Sequence, residues 1–188
     1  MTPILGVIAS ANQGQFISYS SYESIATTTV GSGGASTVTF SSIPSTYQHL
    51  QIRYTAKNGT SGGVSDTFNT ARFNGDSGSN YAYHYALGDG AATYGYGVGS
   101  QSSVWFGLSP YGATSTFGTN VIDILDYANT NKYKTLRALI GNDRNGAGTI
   151  ALTSGLWMST SAISSIVITA TSFPFAEYSS FALYGIKG

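Results

Sequence analysis

Hydrophobic and polar residues alternate along most of this chain, and residues 47–57 show the most regular alternation. A period of two is typical of a β-strand that buries one face and exposes the other. The pattern therefore predicts a strand with one inward and one outward row of side chains. The inward row is Leu50, Ile52, Tyr54 and Ala56, and the outward row is His49, Gln51, Arg53, Thr55 and Lys57.

Residues 121–141 extend this pattern to two strands that a polar connection at residues 129–131 joins. In the first strand, alternation separates Val121, Asp123, Leu125 and Tyr127 from Ile122, Ile124 and Asp126. In the second, it separates Leu136, Ala138 and Ile140 from Tyr133, Thr135, Arg137 and Leu139. A helix is the alternative, but residues 129–131 are weak helix formers with no cap on either side. We therefore predict a β-hairpin whose apolar face needs a second sheet to cover it.

The carboxyl group of Asp123 shares a predicted face with Val121 and Leu125. Because an acid among apolar residues needs hydrogen-bond partners, we interpret Asp123 as a buried, hydrogen-bonded structural acid. Asp126 is three positions further along, so its side chain points to the opposite face of the strand. The two carboxyl groups therefore do not form the pair that glycoside hydrolysis requires.

Short strands bounded by turn signals fill the rest of the chain from residue 22 onward. Residues 31–34 contain three glycines and predict a tight hairpin connection between strands at residues 23–30 and 35–41. Residues 88–99 contain five glycines and predict a loop. About ten short antiparallel strands predict an all-β, jelly-roll-like β-sandwich. Strand number alone does not separate a sandwich from a closed barrel.

The first 20 residues differ from the rest, because apolar residues 3–9 precede a stretch rich in Ser, Gln, Gly and Asn. Two interpretations stay open: an arm that docks on another protein, and a first edge strand of the sandwich. We predict an N-terminal arm over residues 1–20 and one sandwich domain over residues 21–188. The docking residues of the arm are Pro3, Ile4, Leu5, Val7 and Ile8. The apolar run is too short for a membrane span and lacks the basic start of a signal peptide, so we expect neither.

The composition narrows the functional classes. Only 9% of the 188 residues are charged, and eight basic residues balance eight acidic ones. A nucleic-acid-binding surface needs clustered Lys and Arg, so we expect no nucleic-acid partner. A chain this poor in charge tends to associate, which favours a surface covered by partner chains. The sequence has no cysteine, which excludes disulfides, zinc–thiolate sites and thiol nucleophiles.

Catalytic motifs are missing from the sequence. It contains two histidines, His49 and His84, and has no Gly-x-Ser-x-Gly, His-Glu-x-x-His or phosphate-cradling motif. We therefore predict no enzymatic activity, no cofactor and no metal site. The Asn-, Asp- and Gly-rich residues 74–80 offer oxygen atoms to Ca²⁺, but the same residue types form turns, and we favour a turn.

Tyr81, Tyr83 and Tyr85 form the most suggestive feature, because alternate residues of a strand share a face. Tyr94, Tyr96 and Trp105 extend this tyrosine row. An exposed row would stack against sugar rings or anchor a protein interface, where tyrosine is enriched. A buried row would be part of the sandwich core. Burial or an interface is favoured over a ligand site, and both interpretations stay open.

Five stretches carry a resemblance that spans nearly the whole chain. They are MTPILG (1–6), SYESIATTTVGSGGASTVTFSSIPSTYQHLQIR (21–53), FNGDSGSNYAYHY (73–85), VIDILDYANTNKYKT (121–135) and YSSFALYGIKG (178–188). Together they resemble structural proteins of tailed bacteriophages, particularly environmental and cyanobacterial phages, of the tail-fibre or capsid-surface type. The resemblance brings no catalytic motif with it.

This resemblance implies a β-sandwich unit in the virion, in a homo-oligomer of threefold or higher symmetry that contacts other virion proteins. A trimer is favoured, with the apolar N-terminus as its anchor to the particle. Fibre proteins often carry a long shaft, which this sequence does not show, so a capsid decoration protein or a mounted knob is the first expectation. The alternative is a tail-fibre tip or lectin-like module that binds host glycan through the tyrosine row and residues 88–99.

Overall fold

The structure, a computed structural model, describes residues 21–59, 63–112 and 114–188. These residues form twelve β-strands and no helix. The strands are β1 (Tyr22–Thr29), β2 (Thr37–Phe40), β3 (His49–Ala56), β4 (Ser65–Phe73), β5 (Tyr81–Gly88), β6 (Thr93–Gln101), β7 (Val104–Tyr111), β8 (Gly118–Leu125), β9 (Lys134–Asp143), β10 (Gly148–Trp157), β11 (Ile166–Ala170) and β12 (Ser180–Ile186). The predicted arm, with Pro3, Ile4, Leu5, Val7 and Ile8, lies outside the described residues.

The strands form two antiparallel sheets. The large sheet has the order β1-β12-β3-β8-β9-β10-β5-β6, and the small sheet has the order β2-β11-β4-β7. Neither sheet closes on itself within the described residues, so the architecture is a sandwich rather than a closed barrel. The predicted all-β antiparallel sandwich is therefore confirmed, with twelve strands in place of about ten.

Eight of the strands follow a jelly-roll order, in which the chain passes repeatedly from one sheet to the other. β1, β3, β8 and β12 belong to the large sheet, while β2, β4, β7 and β11 belong to the small sheet. Two hairpins, β5–β6 and β9–β10, are inserted into this order and widen the large sheet. The added width creates both surfaces described below.

The predicted hairpin of residues 121–141 is confirmed as β8 and β9. Ile122 pairs with Ala138, and Ile124 pairs with Leu136. These four side chains are buried together with Ile140. In the same way β3 buries its inward row, which is Leu50, Ile52, Tyr54 and Ala56. Full burial of one large aliphatic side chain contributes roughly 1.5–3 kcal/mol, so period-two alternation is a strong determinant of these central strands.

The predicted burial of Asp123 is wrong. Its carboxylate lies on the outer face of the large sheet, where Val121 is exposed, and it keeps 20% of its side-chain surface accessible. The predicted hydrogen bonding is present, because this carboxylate accepts hydrogen bonds from Gln51 Nε2 at 2.7 Å and Arg137 Nε at 3.0 Å. The alternation correctly grouped Asp123 with Val121 and Leu125 on one face of the strand, but this face points to solvent.

Tyr127 also departs from the predicted face. Asp126 has a φ of 48°, which ends the strand and reverses the direction of the next side chain. The ring of Tyr127 is therefore fully buried, and its hydroxyl donates to the carbonyl oxygen of Pro44. A positive φ at an aspartate is a local feature that period-two alternation does not reveal.

The sequence predicted that the glycine-rich connection at residues 31–34 closes a hairpin, and this prediction is wrong. β1 pairs with β12 in the large sheet and β2 pairs with β11 in the small sheet, so the connection crosses between sheets. Gly33 and Gly34 do have the expected positive φ, 93° and 76°. A Cβ at Gly34 would lie 2.7 Å from the carbonyl oxygen of Phe175. The local sequence thus specifies the turn. The strands that pair with β1 and β2 lie far along the chain, and the local sequence does not identify them.

Lys134 stabilises the connection between β8 and β9. Its buried ammonium group donates to the carbonyl oxygens of Asn129 at 2.6 Å, Lys132 at 2.9 Å and Thr160 at 3.1 Å. Burial lowers the pKa of Lys134, and the charge on Lys132 lowers this pKa further. Three carbonyl acceptors match the three donors of an ammonium group, so the charge is compensated and the connection is fixed.

β7 is buried on both faces, although it lies at an edge of the small sheet. Along β4, Thr67, Asn69, Ala71 and Phe73 are buried, so Phe68 and Thr70 lie on the opposite face. Trp105 of β7 pairs with Thr70 and shares this outward face. Tyr83 and Tyr85 from the inner face of β5 contact the Trp105 ring there. The β5–β6 end of the large sheet therefore curls past β7 and covers its outward side.

Asn120 of β8 closes the free edge of β7. Its Oδ1 accepts a hydrogen bond from Leu108 N at 3.0 Å, and its Nδ2 donates to Leu108 O at 3.1 Å. Gly107 permits this approach, because a Cβ there would collide with the hydroxyl of Tyr54 and the amide of Asn120. A side-chain amide thus replaces a neighbouring strand and links the two sheets.

Candidate functional site

A groove lined by aromatic residues opens where the β5–β6 hairpin lies over the outward face of β4 and β7. We call it the aromatic groove, and its volume is about 390 Å³. It is lined by Phe68, Thr70, Tyr83, Tyr85, Tyr96, Trp105 and Thr171. Four residues of the predicted tyrosine row thus come together, namely Tyr83, Tyr85, Tyr96 and Trp105.

Trp105 forms the floor of the aromatic groove. Only 2% of the residue is exposed, and its indole Nε1 donates to Gly107 O at 2.7 Å, which fixes the plane of the ring. Tyr85 meets this ring edge to face, with centroids 4.2 Å apart and an interplanar angle of 69°. Tyr83 lies further along the floor, 6.5 Å from the Trp105 centroid. The floor is therefore a packed aromatic surface with little rotational freedom.

Phe68 and Tyr96 form the exposed walls of the groove. Phe68 belongs to β4 and packs edge to face on Trp105, with centroids 5.2 Å apart. Tyr96 belongs to β6 and lies 5.7 Å from the centroid of Tyr85. Their exposures are 46% for Phe68 and 52% for Tyr96. Two accessible rings from different sheets thus flank the fixed floor.

β6 supplies Tyr96, and its presence corrects the predicted loop at residues 88–99. Residues 93–101 form the edge strand of the large sheet, paired with β5. Tyr94, Tyr96 and Val98 alternate with glycines that occupy the outer face of β6. Tyr94 is 53% exposed, lies opposite Leu87 and does not line the groove. Glycine content suggested a loop, whereas the intervening aromatic residues followed the period of a strand.

Tyr81 is a core residue, which corrects its place in the predicted ligand or interface row. Its ring is fully buried and stacks on Trp157, with centroids 6.3 Å apart. Its hydroxyl accepts a hydrogen bond from Phe73 N at 3.0 Å and donates to Asp76 O at 3.2 Å. Tyr81 shares the inner face of β5 with Tyr83 and Tyr85, but its ring packs between the sheets against Phe73 and Trp157 rather than against Trp105.

The lining of the aromatic groove is uncharged but not purely apolar. It carries the phenol groups of Tyr83, Tyr85 and Tyr96, together with two threonine hydroxyls. Burial raises the pKa of Tyr83, so its phenol is protonated at neutral pH and available to donate a hydrogen bond. Thr171 Oγ1 donates to Phe68 O at 2.6 Å and fixes the rim on the β4 side.

A second surface lies on the outer face of the large sheet. We call it the aliphatic patch, which consists of Val121, Leu139, Ile150 and Leu152. Val121 pairs with Leu139, and Leu139 pairs with Leu152, so three of these residues form a cross-strand row over β8, β9 and β10. The exposures of Leu139, Ile150 and Leu152 are 57%, 63% and 58%. The outward face of a sheet is normally polar, so a contiguous aliphatic row is unusual.

The aliphatic patch has polar and aromatic surroundings. The Asp123–Arg137 ion pair lies one cross-strand row away. Towards β12, the guanidinium of Arg53 lies over the rings of Tyr22 and Tyr184, 5.7 Å and 5.6 Å from their centroids. An apolar centre with a polar rim is the usual composition of a protein–protein interface.

The acidic residues of the turns have structural partners. In the turn at residues 74–80, Asp76 accepts hydrogen bonds from Trp157 Nε1 at 2.7 Å and Gly78 N at 2.8 Å. Asp66 pairs with Arg144 and accepts a hydrogen bond from Thr149 Oγ1 at 2.6 Å. Among the residues that the structure describes, no three His, Asp or Glu side chains cluster to hold a metal ion. These carboxylates tie turns to strands.

Sequence reasoning missed Phe68, Thr70, Thr171 and the aliphatic patch. A signal existed for the patch, because alternation had already placed Val121 on the face of Asp123, and Leu139 on the face of Thr135 and Arg137, but the Val121 face was interpreted as buried. A signal also existed for Phe68, which has the opposite parity to the buried Phe73 on the same strand. The proximity of β4 to β5 and β6 had no sequence signal, since it depends on the curl of the large sheet.

Comparison with known proteins leaves the function open. No family model matches the chain, and no curated protein matches it. In the part of the chain that the structure describes, no helix has the length and apolar character needed to cross a membrane. The aromatic groove and the aliphatic patch are therefore the features from which a function is inferred.

Proposed function

We propose that this protein is a structural subunit of a phage particle surface that assembles as a homo-oligomer through the aliphatic patch. The observation that carries this proposal is the contiguous exposure of Leu139, Ile150 and Leu152 on one sheet face. Apolar surface contributes about 25 cal/mol per Å² when it is removed from water, so this face favours association.

The low charge of the chain supports a second copy as the partner. Eight basic and eight acidic residues give a formal net charge of zero, so copies of the chain do not repel one another at neutral pH. The Asp123–Arg137 pair beside the patch places both signs of charge at its border. A rim of both signs offers complementary contacts to the same rim on another copy. A trimer is the favoured assembly, following the resemblance to phage virion proteins.

The virion role is supported by the resemblance to tailed-phage structural proteins and by the jelly-roll order of the strands. Jelly rolls form many viral capsid and lectin domains, although a fold by itself does not determine a function. In this role the subunit decorates the capsid or forms a mounted knob. Its apolar residues 3–9 anchor it to a neighbouring virion protein, and it acts without enzymatic chemistry.

A charged substitution in the aliphatic patch tests the assembly. We expect the full chain to be oligomeric in size-exclusion chromatography with light scattering across the micromolar range, and Leu139→Glu to be monomeric. In the oligomer the new carboxylate would be buried without a partner, which disfavours the interface. In the monomer position 139 is exposed to water, so the substitution costs little stability. Val64→Glu is the matched control, because Val64 is an exposed aliphatic residue, 48% accessible, outside the patch.

Two results would contradict the proposal. One is a monomeric wild-type chain throughout the concentration range. The other is equal dissociation of Leu139→Glu and Val64→Glu, which would show a general effect of added charge. Thermal unfolding of each variant identifies any loss of folding, so that a misfolded protein is not counted as a dissociated one.

A further inference from the structure

We infer that the aromatic groove is a binding site for a neutral pyranose ring of an uncharged glycan. The site is separate from the aliphatic patch, because it uses the inner face of β5 and β6 and the outward face of β4 and β7. An assembly through the outer face of β8, β9 and β10 leaves the groove open. The inference therefore goes beyond the structural role and stands or falls independently of it.

The rings of the groove provide the stacking surfaces that a sugar requires. A pyranose presents an apolar face of C–H groups that packs against an aromatic ring. Phe68 and Tyr96 are the accessible rings, and they come from different sheets, so they approach a ligand from two sides. Trp105 and Tyr85 close the bottom of the groove in edge-to-face contact. A volume of about 390 Å³ is within the range of small-molecule sites.

The hydroxyl groups of the groove match the edge of a sugar ring. Three phenols and the Thr70 hydroxyl surround the aromatic surfaces and can each donate and accept a hydrogen bond, whereas Thr171, which donates to Phe68 O, offers an acceptor. A lipid chain or an aliphatic peptide segment would leave these groups without partners on binding, which is unfavourable. A ligand with one apolar face and a hydroxylated edge satisfies both parts of the lining.

The absence of charge from the lining selects neutral sugars. All seven lining residues are uncharged, so a sialic acid, uronic acid or sulfated sugar would lose water without gaining an ion pair. Charged groups border the groove without lining it. Asp66 and Arg144 pair with each other in an adjoining depression, which Asp89 also lines. Arg72 lies two residues beyond Thr70 on the outward face of β4, and its Nε donates to Ser102 O. A sugar seated in the groove therefore contacts an uncharged lining.

The groove is pre-organised for binding. The indole N–H of Trp105 is held by Gly107, and the Tyr85 ring packs on Trp105, so the floor loses little conformational entropy when a ligand binds. The backbone of each exposed wall residue is held in place by strand pairing, because Phe68 and Tyr96 both lie within β-strands rather than loops. A rigid aromatic floor with two accessible walls favours a planar-faced ligand over a flexible one.

The test is a titration of the full chain with neutral oligosaccharides containing glucose, galactose, mannose or N-acetylglucosamine, with sialylated and sulfated glycans as a parallel panel. Trp105 lies beneath the site, so tryptophan fluorescence reports binding, and calorimetry gives the affinity. We expect millimolar or tighter binding of at least one neutral glycan. Phe68→Ala and Tyr96→Ala should each weaken it by about tenfold, the size of one lost aromatic contact.

Tyr94→Ala is the matched control. Tyr94 lies on the same strand as Tyr96 and has nearly the same exposure, 53% against 52%, but it does not line the groove. Its replacement should leave the affinity unchanged, and thermal unfolding should show that all three variants are folded. The inference is overturned if no neutral glycan binds, if the three variants weaken binding equally, or if only anionic glycans bind. Self-association that Tyr96→Ala abolishes would instead identify a second copy as the occupant.

Discussion

Asp76 shows how one carboxylate organises a turn that resembles a cation-binding loop in sequence. It accepts hydrogen bonds from the indole of Trp157 at 2.7 Å, the amide of Asn80 at 3.0 Å and the backbone of Gly78 at 2.8 Å. These partners belong to the turn after β4 and to the end of β10. The carboxylate therefore connects the small sheet to the large one, and the Asn- and Gly-rich composition serves the turn itself.

The hydrogen bonds to Asp76 make stability depend on pH. The indole of Trp157, then the Asn80 amide and the Gly78 backbone, lower the pKa of Asp76 from its ordinary value of 3.8. A lowered folded-state pKa contributes stability above the unfolded-state pKa and loses it as the pH falls through the folded-state value. We expect urea unfolding midpoints to decrease below about pH 4, and Asp76→Asn to show a shallower decrease.

This dependence has a second readout at the same residue. Protonation of Asp76 removes the charged acceptor of the Trp157 indole N–H, so Trp157 fluorescence of the folded protein should change as the pH falls through the lowered folded-state pKa of Asp76. An Asp76→Asn protein whose stability falls with pH as steeply as that of the wild type would contradict the assignment. Glu23, Asp89 and Asp126 also have lowered pKa values, so some pH dependence remains in the variant.

At the scale of elements, β7 is the strand on which the aromatic groove depends. It supplies the floor of the aromatic groove through Trp105, and it is enclosed by the curl of the large sheet. At Leu108 its free edge is paired with the amide of Asn120 rather than with a strand, and further along the edge Pro110 O accepts a hydrogen bond from Asn58 N. An unpaired edge inside a protein would leave backbone groups without partners, so the Asn120 side chain has a structural role that no strand fills.

Replacement of Asn120 should therefore destabilise the fold, because both hydrogen bonds of its amide are lost. Asn120→Leu keeps the branched shape of the side chain but leaves Leu108 N and Leu108 O buried without partners, at a cost of about 2–4 kcal/mol in the free energy of unfolding. Chemical denaturation measures this change. Thr119→Val on the neighbouring exposed position is the control and should cost less than about 1 kcal/mol. An Asn120→Leu protein as stable as this control would contradict the role of the amide.

The elements divide into those that the sequence could predict and those that it could not. β3, β8 and β9 were predictable because each buries one face completely, and burial imposes period-two alternation. The partner of β1 was not predictable from the glycines after it, since that partner, β12, lies more than 150 residues away along the chain. Tyr83, Tyr85 and Tyr96 were predictable as a set, but Phe68 joins them only through the curl of the large sheet.

For the whole molecule, the proposed virion role assigns two contacts, the aliphatic patch between copies of the chain and residues 1–20 with the particle. The patch favours copies of the same chain, whereas the apolar residues 3–9 favour attachment to a different protein. The two contacts are separable, because the strands that bear the patch lie within residues 118–157, far along the chain from the proposed arm. Removing the arm should therefore affect attachment and leave the sandwich and its self-association in place.

Deletion of residues 1–14 provides this test. We expect the shortened chain to fold with a thermal unfolding midpoint close to that of the full chain, to assemble normally, and to be missing from purified phage particles. Co-purification with particles, followed by immunoblotting, measures incorporation. Normal incorporation would refute the anchor, and a shortened chain that fails to fold would show that residues 1–14 belong to the sandwich as an edge strand.

The position of β12 has a consequence for how the chain is made. β12 lies between β1 and β3, so β1 finds its neighbour in a strand that is synthesised more than 150 residues later. The nascent chain must hold β1 and β3 apart, without that neighbour, until translation reaches residue 186. Pairing over such a separation is slow, and exposed edges in the waiting chain invite aggregation. Chaperone occupancy during synthesis, and rapid proteolysis of prematurely terminated chains, are the expected cellular signatures.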